Sequence, residues 1–139
     1  MERLTEGTEW ETTAGYSRAV RVGRRIAVSG TTGHPPAGSD EPLGATYAQA
    51  VRALARALAA AQELGRGAAV VVRSRIYLAP GARWQDAARA HRQCLGDVAP
   101  ANTMLHVHSL IGPGLLVEVE LDAEVLEEVQ GAVQPASQQ

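Results

Sequence analysis

The 139-residue sequence contains no phenylalanine, only two tryptophans and three tyrosines. Its core must therefore be built from Val, Leu, Ile and Ala. There is a single cysteine, Cys94, so no internal disulfide can form; this fits a reducing compartment, and a cytoplasmic location is expected. Neither sign of charge dominates: the formal net charge is −2. Such a balance gives no electrostatic footprint for nucleic acid or an anionic membrane. No apolar run reaches the roughly 18 residues of a membrane span. The opening "MERLTEGTEWETT" lacks the apolar centre of a signal peptide. What remains is an ordinary globular composition, 45% hydrophobic and 20% charged. It suits a single domain over 1–139, with 1–13 and 131–139 expected as flexible ends.

Periodicity then supplies the elements. "RAVRVGRRIAVS" (18–29) alternates on both sides of Gly23-Arg24, which predicts a β-hairpin with a type II′ turn. The Gly/Pro-rich stretch 30–44 reads as a long surface loop, a frequent home of function. In 46–65, Tyr47, Ala50, Val51, Leu54, Leu58, Ala61 and Leu64 recur at helical spacing. Thr46 and Gln49 fit a capping box and Gly65 a C-terminal cap. Residues 68–79 are β-branched and continuously apolar enough for a central strand. A second helix follows through Trp84, Ala87, Ala88, His91, Cys94 and Leu95, ending at Gly96. Two strands, 102–110 and 115–124, are expected to be joined by the Gly-Pro-Gly turn. The order ββ-α-β-α-ββ predicts one sheet with both helices on a single face.

That packing gives the last two strands a polar side. Alternation assigns Thr103, Leu105, Val107 and Ser109 to the helices, together with Leu115, Val117, Val119 and Leu121. The opposite side then presents Asn102, Met104, His106 and His108 beside Glu118, Glu120 and Asp122, with Arg73, Arg75 and Tyr77 from the central strand. Two histidines two apart on a strand point the same way and, with a third ligand, could hold zinc. Cross-strand pairing with carboxylates is the favoured reading, because no further Cys or His is close in sequence. His34 falls in the loop and His91 on an apolar helix stripe. Cys94 reads as a packed thiol rather than a nucleophile. "GTTG" lacks the lysine and spacing of a phosphate loop. Glu120 stands on a strand whose alternate residues are buried; desolvated at a subunit boundary it would suit proton transfer. A solvated or ion-paired glutamate is the equal alternative.

Several ordered blocks, "GYSRAV", "VSGTTG", "VVRSRIYL", "PANTMLHV" and "LVEVELDA", resemble the Rid family, also called YjgF/YER057c/UK114, over about residues 14–124. The resemblance implies an α+β, chorismate-mutase-like mixed sheet with two helices on one face. It implies a homotrimeric barrel with small-molecule pockets between subunits. It also implies hydrolysis of enamine or imine intermediates, with no cofactor, no metal, and neither nucleic acid nor membrane as partner. Carried over by position, Tyr16 is the pocket tyrosine. Ser29, Gly30 and Thr31 form the segment bordering the ligand, and Glu120 is the acid that positions water. Asn102 and Met104 lie on the strand that holds the substrate carboxylate, with Arg75 nearby. The departure is Asn102, where deaminating members carry an arginine clamp. A charge-assisted hydrogen bond is worth roughly 1.5–3 kcal/mol, so a small carboxylate should bind about ten- to a hundredfold more weakly there. A non-catalytic, metabolite-binding or pathway-accessory trimer is the alternative expectation.

Overall fold

The computed structural model describes residues 1–126. Its elements run β1 (Glu2–Leu4), α1 (Glu9–Ala14), β2 (Ala19–Val22), β3 (Arg25–Thr32), α2 (Thr46–Leu64), β4 (Ala69–Leu78), α3 (Trp84–Leu95), β5 (Ala101–His106) and β6 (Val117–Val125). They make a six-stranded sheet in the order β1-β2-β3-β6-β4-β5. Only β4 and β5 run parallel. The tail expected to be flexible, 131–139, lies outside the described residues.

The core is aliphatic, as the shortage of aromatics requires. Ile26, Val28, Ile76, Val119 and Leu121 from the sheet meet Ala50, Ala53, Leu54, Ala57 and Ala61 of α2. Small alanines let the helix lie close to the strands. The second helix, α3, adds Ala87, Ala90 and Leu95. The predicted β2–β3 hairpin forms, with Val22 opposite Arg25. Gly23 has φ +59 while Arg24 stays out of the left-handed region, as a type II′ turn demands.

Four expectations change. The capping box at Thr46 does not form, because both side chains are used elsewhere. The Thr46 hydroxyl accepts from the Arg83 N–H. The buried Gln49 amide donates to the Gly44 and Gly114 carbonyls and accepts from the Leu116 N–H. Gln49 thus ties two loops to the start of α2. Next, residues 1–13 are structured rather than loose. Thr8 and Glu11 form a reciprocal capping box on α1, and β1 pairs with β2.

The third change concerns the final strands. They are not neighbours: β4 lies between them, pairing in parallel with β5 and antiparallel with β6. The fourth follows from that register. Ser74 opposes Asn102 and Ile76 opposes Met104. Ser74 and Ile76 are fully buried under the helices, so Asn102 and Met104 share that side. Met104 packs on the core and Leu105 is exposed, the reverse of the expected assignment. His108 falls beyond the end of β5 and does not continue a file with His106.

Candidate functional site

A concavity of ≈ 910 Å³ opens where the sheet is incomplete. The hairpin partner β2 begins only at Ala19, opposite Val28. The last rung is Ser29 N–H to Arg18 carbonyl, 3.0 Å, and the Ser29 hydroxyl donates to the Ser17 carbonyl at 2.7 Å. Beyond it, the end of β3 has no strand on that side. The pairing of β3 with β6 also slips between Val28 and Thr31; such bulges bend a strand and re-aim its groups. The N-terminal segment curls over this gap, so Trp10, Tyr16 and Arg18 line the cavity opposite Gly30, His34, Ile111 and Glu118.

Glu118 is the carboxylate inside. Register places it opposite Thr32 on one side and Tyr77 on the other. One of its oxygens lies against Gly30 so closely that a Cβ on residue 30 would stand 2.3 Å from it. Any larger residue at position 30 would displace the Glu118 carboxylate from this place. Burial raises the Glu118 pKa, and the charge of Glu120 adds to the rise while Arg18 opposes it. Arg18 itself is 8% exposed. Its Nη2 donates to the Ser29 and Gly30 carbonyls at 2.7 and 2.5 Å. Its Nε is buried without a hydrogen-bond partner.

Glu120, two residues on, is occupied differently. The Tyr77 hydroxyl donates to Glu120 Oε1 at 2.5 Å, and Arg75 Nη1 lies 3.5 Å from the same oxygen and 3.3 Å from Asp122 Oδ2. That hydrogen bond to Glu120 is the main reason the Tyr77 phenol titrates above its ordinary range. Arg73, Arg75 and Tyr77 do share the face of Glu118, Glu120 and Asp122, as alternation predicts.

The remaining expected residues divide between places. Tyr16 and Gly30 line the cavity; Ser29, Thr31, Arg75 and Glu120 do not. Thr31 is buried and donates to the Ser29 carbonyl, so it stiffens the bulge. Asn102 and Met104 are on the other side of the sheet. There the Asn102 amide nitrogen donates to Ser74 Oγ at 3.0 Å, and that hydroxyl lies 2.7 Å from His91 Nε2. Burial lowers the His91 pKa. The Cys94 thiol is pushed up by burial and stays a poor nucleophile. Among the described residues no group of three His, Cys, Asp or Glu could hold a metal. The residues that sequence reasoning passed over are Arg18, Trp10 and Glu118. Arg18 stood inside a quoted block, and the Thr8-x-x-Glu11 pattern signalled the helix that carries Trp10.

An antiparallel-rich sheet with two long helices on one side and a cavity beside the end of β3 defines a class of small α+β folds. The comparisons make this specific. A family model described as Endoribonuclease L-PSP matches residues 7–125. An uncharacterized protein of Streptomyces coelicolor is 35% identical over 126 residues, spanning 88% of this chain and 91% of its own. The crystal structure of Rv2704 from Mycobacterium tuberculosis, of the YjgF/YER057c/UK114 family, superposes with TM-score 0.77. It is 41% identical and covers 89% of this chain and 98% of that one. E. coli TdcF with bound serine has the same fold at TM-score 0.71, with 16% identity over 89% of this chain and 94% of its own. The chain belongs to the YjgF/YER057c/UK114, or Rid, family.

Proposed function

We propose that this protein hydrolyses a carbon–nitrogen double bond of an enamine- or imine-type small molecule held in the Trp10–Tyr16–Glu118 cavity. The observation that carries the reading is Glu118, a half-buried carboxylate with raised proton affinity, seated on a glycine at the cavity wall. A carboxylate whose proton affinity is raised by burial is suited to general acid–base chemistry. In the balanced step, water adds through oxygen to the imine carbon and gives its proton to Glu118. Glu118 passes that proton to the nitrogen to give a carbinolamine; the carbinolamine hydroxyl then loses its proton, through Glu118, to the same nitrogen as the carbon–nitrogen bond breaks, and amine and carbonyl leave. Tyr16 orients the ligand. This role passes from Glu120 to Glu118, because Glu120 is already engaged by Tyr77 and Arg75.

Asn102 and Met104 join such a site only from a second copy, since the sheet separates them from Glu118 within one chain. A homotrimer in which one subunit's β5 approaches the next subunit's cavity is the arrangement this reading requires. The exposed Leu105, Val22 and Val72 give that assembly apolar surface to cover. In a reducing cytoplasm Cys94 would remain a thiol. A ribonuclease reading finds less support, because Glu118, Glu120 and Asp122 share the open face with its arginines and would repel a phosphate backbone.

The test is keto-acid release from an enzymatically generated 2-aminoacrylate or branched-chain analogue. Acceleration by the wild type, lost in Glu118→Gln and kept in Glu120→Gln, is the expected result. No acceleration, with ligand-induced shifts of Tyr16 resonances, would favour the binding-only alternative. Sedimentation should give about three times the 14.6 kDa chain mass; a monomer would remove Asn102 and Met104 from the site.

A further inference from the structure

We infer that Arg18 is the residue that reads the negatively charged end of the ligand, so that the role absent at Asn102 is performed from inside the cavity. This deepens the proposed function and rests on its choice of cavity. The argument begins with an imbalance of charge. Arg18 is more than nine-tenths buried and lines the cavity. A buried guanidinium is costly unless it is paired and its donors are used. Arg18 meets two backbone carbonyls, both through Nη2, and its Nε has no acceptor. Among the described residues no carboxylate comes within ion-pair distance of it; the pairs formed by other arginines involve Glu2, Glu6, Asp86, Glu120 and Asp122. Glu118 and Glu11 are near enough for their charges and that of Arg18 to influence each other, but neither pairs with it.

A buried cation and a half-buried carboxylate that share a cavity without touching leave room for something between them. A ligand with an anionic oxygen towards Arg18 and a proton-bearing nitrogen towards Glu118 would satisfy both. The two carbonyls of Ser29 and Gly30 fix the guanidinium, so little side-chain freedom is lost on binding. The rest of the wall mixes polar groups, Arg52 and Arg56 among them, with apolar and aromatic ones, of which Trp10 is 63% and Ile111 83% exposed beside Tyr16. Side chains of that kind left open to water call for an apolar body on the ligand. The inferred class is therefore a small zwitterion-like molecule with an aryl or branched alkyl group, larger than the unsubstituted imino acids.

The test uses wild-type protein and four probes that share a phenyl group: phenylalanine, 3-phenylpropanoate, 3-phenylpropanamide and phenethylamine. Binding is followed by shifts of the Tyr16 and Gly30 amide resonances. The acid is expected to bind about tenfold more tightly than its amide, as one charge-assisted hydrogen bond predicts, and phenylalanine more tightly than either. Arg18→Gln should erase the acid–amide difference and leave phenethylamine unchanged, while Glu118→Gln should weaken phenethylamine and spare the acid. Because Arg18 is buried and its replacement can unfold the chain, and because Arg52 and Arg56 line the same cavity, the acid–amide comparison is repeated in Arg52→Gln and Arg56→Gln, which should keep the difference; its loss in either would overturn the role of Arg18. An amide equal to or tighter than the acid overturns the role of Arg18 and leaves the cavity reading intact. If none of the four moves those resonances, the cavity is not the ligand site, and both readings fall.

Discussion

The open face of the sheet has two ends, and they treat charge in opposite ways. Around Glu120, charges are matched: Tyr77 donates to it, and Arg75 lies between it and Asp122. Around Glu118, only one β-residue pair away, they are not. Glu118 and Arg18 are both withdrawn from water, yet neither neutralises the other directly. Matched charges hold a surface together; unmatched ones are retained against a cost that burial imposes on the fold. On the proposed function, the contrast separates a structural carboxylate from a functional one where residue type, strand and face are all the same.

The comparison breaks most visibly at Glu118. Glu118→Gln should lower kcat/KM by about a hundredfold or more, the usual worth of a positioned acid–base group. It should also raise the thermal midpoint at pH 7. The sign follows from linkage: the Glu118 pKa is raised above 4.5 in the fold, so the stability this group contributes is present below that value and is lost as pH rises through the folded pKa. Melting curves at pH 4 and pH 7 check it. A glutamine variant that melts below wild type at pH 7 would show Glu118 to be another matched charge.

The helix side offers the next test. Ser74→Ala would leave the ring nitrogen of the half-buried His91 without its partner, at a cost of about 1–3 kcal/mol, read by denaturant unfolding. Because burial depresses the His91 pKa below 6.5, its contribution is present above that pH and falls as the solution is acidified below it, where the unfolded chain takes up the proton first. His91→Gln should flatten that acid-side decline.

Glu11 probes the cavity wall. Its carboxylate accepts from the N–H groups of Glu6, Gly7 and Thr8, and the bond from Glu6 is the main reason its pKa is lowered. Glu11→Gln should lower the melting temperature at pH 7. The gap to wild type should close as pH falls below 4.5, because stability from a depressed carboxylate is lost as it protonates. The smallest effect is expected at Glu120. Glu120→Gln should cost less than about 1 kcal/mol, as for other partly exposed pairs, and change activity by no more than about threefold. A large loss of activity there would restore Glu120 to the site and erase the distinction between the two ends.

Much of the fold was legible because its long elements repeat strongly. The helix from 46 and the strand from 69 announce themselves through apolar period, and the Gly23 turn through its own chemistry. The β5 face was not legible. On an edge strand, Asn-Thr-Met-Leu-His offers an apolar residue to either side, so alternation cannot choose, and only pairing with the buried Ser74 and Ile76 decides. The Gly-Pro-Gly turn suggested a hairpin, but a turn does not reveal that a third strand will slip between its arms. The site was half visible. Tyr16 and Gly30 came with the quoted blocks. Glu118 and Glu120 are indistinguishable by periodicity, and what distinguishes them is a wall contributed by residues more than a hundred positions earlier.

That wall is a short, self-capped unit. Thr8 and Glu11 close α1 on itself, Gly15 ends it in the left-handed conformation, and its residues meet the sheet without setting the register of β3 or β6. Roughly ten residues at one terminus could therefore be exchanged among relatives while Glu118 and Gly30 keep their places. Divergence in ligand preference would then be written in the appendage, and grafting the equivalent segment between family members is a direct route to redirecting the site.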